Sequence, residues 1–226
     1  RKTLDPRPCS LCILSLYSAS GMCTLALYFR VFPGYPLVVA ANRDEALARP
    51  SVAPTQLGSA PWIYGGQDLL AGGTWLGVNE YGVTVGILNR QSLAPADPQC
   101  RSRGHLCLDA LKYDSATTAL HAVLRQESQS YNPFNLVIAD ASAAYVLHNQ
   151  HGPKGPLTVV SLEPGFHIVT NRDPNDHACS RISRFTSRFT EISQSFIQQP
   201  TPLSDLFTSL RCQMATHAAP TSEARD

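Results

Sequence analysis

Two strand-like segments that run into a block of polar residues constrain this chain more than any other feature of it. Residues 23–32 (CTLALYFRVF) are mostly β-favouring or apolar. Pro33-Gly34 then marks a turn, and residues 37–41 (LVVAA) read as a buried strand. That strand stops abruptly at Asn42-Arg43-Asp44-Glu45. Further on, residues 74–79 and 83–88 read as a hairpin turning at Glu80-Tyr81-Gly82, and 134–140 with 143–148 as a second. Residues 157–161 and 166–170 read as a third, with Pro164-Gly165 between them. Pro50 and Pro54 punctuate a loop. Residues 104–128 look helical in two pieces broken near Tyr113-Asp114-Ser115, with Asp114 or Ser115 as the second cap. In 178–198, Ile182, Phe185, Phe189, Ile192 and Phe196 recur every three or four residues, which predicts an amphipathic helix. Arg181, Arg184 and Arg188 lie beside that stripe, and a solvated row explains them more simply than an anion site. A last helix is predicted over 203–213. Runs of strands interrupted by helix pairs point to a layered α+β domain, not an alternating βαβ one.

Composition adds exclusions. The chain has 226 residues, enough for one domain that buries its own core. It is 43% hydrophobic and 15% charged with a net charge of +1, so no basic block suggests nucleic acid. No apolar run approaches the roughly 18–20 residues of a membrane helix. The cysteines at 9, 12, 23, 100, 107, 179 and 212 are odd in number and irregularly spaced. Most are expected to be buried thiols in a reducing compartment. Cys9 and Cys12 form a CxxC with no second ligand pair, so no metal is expected. Residues 1–21 combine a weakly basic start, Asp5 and a short apolar stretch. They read as upstream sequence ahead of Met22, with a propeptide or signal peptide as the alternatives.

Several positions carry a chemical reading beside a blander one. Cys23 follows Met22, and a structural thiol would explain it. If Met22 is trimmed, Cys23 carries both a thiol and a free α-amine. An amine with a pKa near 8 can serve as base for the residue's own nucleophile. Asn42 to Glu45 are either a surface turn or a carboxylate delivered toward that amine. Gly72-Gly73-Thr74-Trp75-Leu76-Gly77 lacks the lysine and the spacing of a phosphate loop. It reads as a tight turn into a strand with a packed tryptophan. Asn89 and Asn171 end strands, as turn caps or as oxyanion donors. None of the seven histidines shows a ligand or dyad spacing.

Met22-Cys23-Thr24-Leu25, Ala41 to Glu45, Gly72 to Gly77 with Gly82, Asn89-Arg90, Ser102-Arg103-Gly104 and Thr170-Asn171 together resemble the NRDE family. That family includes the transport and Golgi organisation 2 proteins, and the match runs from Met22 to about Phe196. The resemblance implies a four-layer αββα sandwich of the N-terminal-nucleophile hydrolase type over residues 22–226. It also implies a distant link to choloylglycine hydrolase and penicillin V acylase. By that pattern Cys23 matches the nucleophile, Asn42 and Asp44 the Asn and Asp of an Arg-Asn-x-Asp stretch, and Asn89 and Asn171 the two later asparagines. Arg181 or Arg184 is the nearest match to a late arginine. Arg43, Trp75 and Arg184 are the expected substrate contacts. The stretch's arginine falls on Ala41, and no β-like run follows residue 213, so the sandwich is expected to lack its C-terminal strands.

The resulting expectation is a cytoplasmic cysteine amidohydrolase or acyltransferase that takes a small amide or acyl substrate and needs no cofactor. Its rival is a non-enzymatic carrier on the same fold, with haem or lipid as the ligand.

Overall fold

The structure is a computed structural model. It describes residues 23–46, 48–92, 95–126, 131–149, 156–199 and 201–215, apart from the side chains of Ser180 and Arg181. The expected upstream segment 1–21, the Cys9–Cys12 pair and residues 216–226 lie outside the described residues.

β1 (Thr24–Phe32) and β2 (Tyr35–Asn42) form the antiparallel hairpin expected from the opening segments, with Thr24 opposite Asn42. β3 (Ser51–Ser59), β4 (Trp62–Asp68), β5 (Leu76–Asn79) and β6 (Thr84–Asn89) follow. Two helices, α1 (Arg103–Ala110) and α2 (Ala116–Arg125), precede β7 (Phe134–Ala139) and β8 (Ala144–Asn149). β9 (Leu157–Ser161), β10 (Gly165–Val169), α3 (Ser180–Gln198) and α4 (Leu203–Ala215) complete the order. Strands β3 to β9 make a seven-stranded sheet in sequence order. A three-stranded sheet has the order β10-β1-β2.

Side-chain alternation sorts these elements into four layers. On β1, Leu25, Leu27 and Phe29 face the larger sheet, where they meet Leu76, Leu88, Val137 and Val146. Ala26 and Tyr28 face the other way, onto Ile182, Phe185 and Phe189 of α3 and Leu206 and Leu210 of α4. On β7, Leu136 and Ile138 pack under α1 and α2, while Val137 faces the smaller sheet. Both faces of each sheet are therefore apolar, which explains why β1, β2 and β7 read as near-continuous hydrophobic runs. This is the expected αββα sandwich.

The periodic stripe of α3 seats as predicted. Phe189 is fully buried, stacks on Phe166 at 5.5 Å, and takes the Tyr28 hydroxyl on its carbonyl at 2.7 Å. Phe189→Ala is expected to cost about 3–5 kcal/mol of stability, measured by urea unfolding. A loss under about 1 kcal/mol would mean that α3 is not part of the core. Ser115 caps α2 by a reciprocal box with Thr118.

Three expectations need correction. The segment around Pro50 and Pro54 is not a loop but contains β3, which pairs with β4 through two register shifts. β3 lies at the edge of its sheet and is largely exposed, so proline is tolerated and no apolar pattern marks the strand. Residues 157–161 and 165–169 do not form a hairpin. β9 pairs with β8, and the chain crosses at Pro164 so that β10 joins β1. The cysteines are not mostly buried: of the five described, Cys107 is buried, Cys212 is exposed, and Cys23, Cys100 and Cys179 are intermediate.

Candidate active site

The sandwich opens at the end where β1 starts and β2 and β6 finish. Residues from these ends, from the 68–75 turn and from 96–104 enclose a cleft of about 730 Å³. Cys23, Arg43, Trp75 and Asn89 all line it.

Cys23 stands just before β1, beside the residues that leave β2. Its Sγ accepts the Asp44 backbone N–H at 3.3 Å, and the thiol faces the Asp44 carbonyl at 3.6 Å. Burial pushes the thiol above its ordinary pKa and the Asp44 N–H offsets part of this, while nearby Asp44 and Glu45 add to the rise. Asn42 holds the turn in shape. Its Oδ1 accepts the Thr24 N–H at 2.9 Å, and its Nδ2 donates to the Asp44 carboxylate at 3.0 Å. The polar block after β2 is thus a cradle for the start of β1. Its backbone touches sulfur, and its carboxylate meets the Asn42 amide.

Arg43 is 6% exposed, with its guanidinium 4.3 Å from the centre of the Trp75 ring. It pairs with Asp68 at 3.2 Å, and its Nη1 has no hydrogen-bond partner. Arg49 also reaches Asp68, at 2.8 Å. Burial opposes ionisation of Asp68, but Arg49 and the N–H groups of Leu70 and Ala71 carry its pKa below the usual value. Trp75 is the packed tryptophan expected from the glycine-rich stretch. A Cβ on Gly66 would lie 2.2 Å from its ring.

Residues 103–104 meet the 72–74 turn backbone to backbone. A Cβ on Gly73 would lie 2.5 Å from the Gly104 carbonyl carbon, so no side chain fits there. Thr74 N–H donates to the Gly104 carbonyl at 3.2 Å. Gly73→Ala is expected to destabilise the fold by about 1–3 kcal/mol and to lower the melting temperature. An unchanged melt would show that α1 can move away freely.

Asn89 ends β6 with an exposed side chain on the cleft. Asn171 follows β10. It lies two residues beyond the last β1–β10 pair, Leu25 with Val169, and is not among the residues that line the cleft. Its carbonyl accepts the Gln91 N–H at 2.8 Å, and its Oδ1 is buried without a partner. A polar clamp lies beside it. Fully buried Asn135 on β7 donates from Nδ2 to the carbonyls of Thr170 and Arg172, each at 2.7 Å, and accepts from Arg90 at 3.0 Å. Arg90 in turn pairs with Asp173.

The remaining expected residues do not join this group. Arg184 is exposed on α3, its guanidinium 6.0 Å from the Phe185 ring and away from the cleft. Arg181 lies on the same helix, but its side chain is outside the described residues. The late-arginine match therefore has no support from Arg184, because α3 packs on the far face of the smaller sheet. Arg49, Asp68, Cys100, Arg101 and Arg103 line the cleft and had no assigned role in the sequence. Only the Ser102-Arg103-Gly104 stretch had flagged this region. Among the described lining residues there is no histidine.

The family model described as Transport and Golgi organisation 2 matches residues 22–225. The chain belongs to that family. It is 32% identical over 160 residues to the Transport and Golgi organization 2 homolog of Mus musculus, covering 66% of this chain and 57% of that protein. To the Homo sapiens homolog it is 33% identical over 159 residues, with the same coverage. The chain thus spans little more than half the length of these curated relatives. Among solved structures, it is similar to a Caenorhabditis elegans N-acylethanolamine-hydrolyzing acid amidase ortholog, with a TM-score of 0.56 and 15% identity. That match covers 80% of this chain and 87% of the other. A mutant of the conjugated bile acid hydrolase from Clostridium perfringens matches at a TM-score of 0.53 and 11% identity, over 89% of this chain and 81% of the other. These likenesses establish an N-terminal-nucleophile hydrolase-like fold. Among the described residues, no helix is long and apolar enough to cross a membrane.

Proposed function

We propose that this chain is a cysteine amidohydrolase or acyltransferase acting on a small amide or acyl substrate, with Cys23 as the nucleophile. The observation that carries the reading is the position of the thiol. It stands at the mouth of β1, on the wall of an open cleft, held by the backbone of the very turn that ends β2. The fold shared with an acid amidase ortholog and a conjugated bile acid hydrolase supports the scaffold.

In the proposed reaction the peptide bond before Cys23 has first been cleaved; the sulfur then attacks the substrate carbonyl carbon, and the thiol proton passes to the freed α-amine of Cys23. The carbonyl oxygen becomes an oxyanion, which the Asn89 amide and a backbone N–H stabilise. Collapse expels the amine, which leaves with the proton held by the α-ammonium, and an acyl-thioester remains on Cys23. Water, or an acceptor in the acyltransferase case, gives its proton to the α-amine and attacks the thioester. Release of the acid or acyl product restores the thiol. Asn42 and Asp44 keep the turn in place, while Arg43 and Trp75 form one wall.

Intact-mass analysis after exposure to p-nitrophenyl octanoate tests the nucleophile. The chain beginning at Cys23 should gain one octanoyl group on that residue. Absence of the adduct, or its appearance on another residue, would remove Cys23 from the mechanism.

A further inference from the structure

Among the described residues, the cleft beside Cys23 is lined by more guanidiniums than carboxylates. Four guanidiniums line it, from Arg43, Arg49, Arg101 and Arg103, against the carboxylates of Glu45, Asp68 and Asp97. Asp68 is shared by Arg43 and Arg49. Arg101 turns to Asp109 at 2.8 Å and to the Tyr131 hydroxyl at 2.6 Å. Glu45 stands 3.9 Å from Arg43 and 3.7 Å from Arg49, and the Asp97 carboxylate accepts the Gln99 N–H at 2.8 Å.

Among the described residues, Arg103 has no carboxylate within ion-pair distance, and Arg43, although paired with Asp68, keeps one donor without a partner. Arg103 donates from Nη1 to the Pro133 carbonyl at 2.8 Å and makes no ion pair there. Burial lowers its pKa and the neighbouring Arg49 lowers it further, while Glu45 and the Cys100 and Cys23 thiols offset part of this. Arg43 is 6% exposed, lines the cleft, and keeps Nη1 without a partner. A buried, unpaired guanidinium donor is costly unless something fills it.

The backbone adds a third source of positive potential. Ser102, Arg103 and Gly104 open α1 on the wall of the cleft. The Ser102 side chain makes no cap bond, and the first turn of α1 contains no acidic residue. An uncapped helix start carries a partial positive charge and favours an anion.

We propose that the start of α1, Arg103 and the Arg43 Nη1 form a receptor for an anionic oxygen group, carboxylate or phosphate, carried by the substrate. This rests on the reading of the cleft as the substrate site and narrows it to anionic amides. Arg103 is the specificity-determining residue of the set, because Arg43 and Arg49 already serve Asp68.

The test is calorimetric titration of the full chain carrying Cys23→Ala, which binds without turnover. The probes are N-octanoylglycine, its phosphate counterpart N-octanoyl-O-phosphoethanolamine, and neutral N-octanoylethanolamine. At least one anionic probe should bind about ten- to a hundredfold more tightly than the neutral one, the span expected of a charge-assisted hydrogen bond. Whichever anionic probe binds more tightly identifies the group. Arg103→Gln should abolish the preference, so that the anionic and neutral probes bind alike, while Arg103→Lys should keep part of it. Inorganic phosphate should compete with the preferred anionic probe and not with the neutral one, a measurement that needs no Arg103 variant. Equal affinity for all three probes, or a preference that survives Arg103→Gln, overturns the proposal, as does phosphate competition against the neutral probe. The hydrolase reading fails separately. If the anionic probe is preferred yet left uncleaved by the chain beginning at Cys23, the receptor stands and hydrolysis of that probe does not.

Discussion

The chain that begins at Cys23 is expected to react with an activated acyl ester about a hundredfold or more faster than the same chain carrying residues 1–22. An internal Cys23 has no α-amine, and the described lining of the cleft offers no histidine in its place. Burial moves its thiol above the ordinary value, so the thiolate fraction near neutral pH is smaller than that of a free cysteine. A positioned base is worth roughly 10²–10⁴ in rate, and the amine is the group that could supply it. The pH profiles should differ in the same sense. Reactivity of the longer form should climb only as pH rises past the ordinary thiol value, because deprotonation is what it lacks. That of the shorter form should already rise as the amine loses its proton, near pH 8 by the usual value. Cys23→Ser in the shorter form should react much more weakly. The measurement is pseudo-first-order acylation of the two purified forms at several pH values. Superimposable rates would remove the N-terminal-nucleophile mechanism and leave the carrier reading, with haem or lipid as ligand, as the better account.

Asn89→Ala should lower kcat by about a hundred- to a thousandfold, with KM little changed, on any amide the shorter form turns over. Asn89 ends β6 and presents an uncharged amide to the cleft, so its donor to an oxyanion carries no charge of its own to desolvate. Because the side chain is exposed, its removal leaves no cavity, and the melt should be unaffected. An intact kcat in a well-folded variant would return Asn89 to the role of a strand-end residue.

Much of the fold was legible because its buried strands are apolar on both faces. β1, β2 and β7 announce themselves by composition, and α3 by the spacing from Ile182 to Phe196. β3 was not legible. An exposed edge strand with a proline and two register shifts offers neither period nor propensity. The β9–β10 crossover was misread because Pro164-Gly165 has the chemistry of a hairpin turn, while pairing is decided by which sheet has a free neighbour. Of the expected residues, Cys23, Arg43, Trp75 and Asn89 line the cleft, and Asn42 and Asp44 lie in the turn beside Cys23. Arg49 and Asp68 carried no signal, and Arg103 only that of the Ser102-Arg103-Gly104 stretch, because their partners lie 19 to 30 residues away in sequence, where spacing conveys nothing.

The clamp around Asn135 bears on how the two sheets can move. Contacts between Leu25, Leu27, Leu88 and Val146 are oily and have no preferred direction. Such an interface resists separation but opposes sliding only through the fit of its side chains. Asn135 adds direction. It grips the carbonyls of Thr170 and Arg172 from the opposite sheet, and Arg90 fastens the same loop through Asp173. The clamp therefore works as a shear pin at the open end of the sandwich. It fixes the offset of β10, and with it Asn171, relative to β6 and Asn89. A shift of one sheet over the other by even an ångström would change the distance between the two asparagines while leaving the apolar core intact. The offset between the sheets is thus set by a few directional bonds, and the strength of the fold by the oil between them.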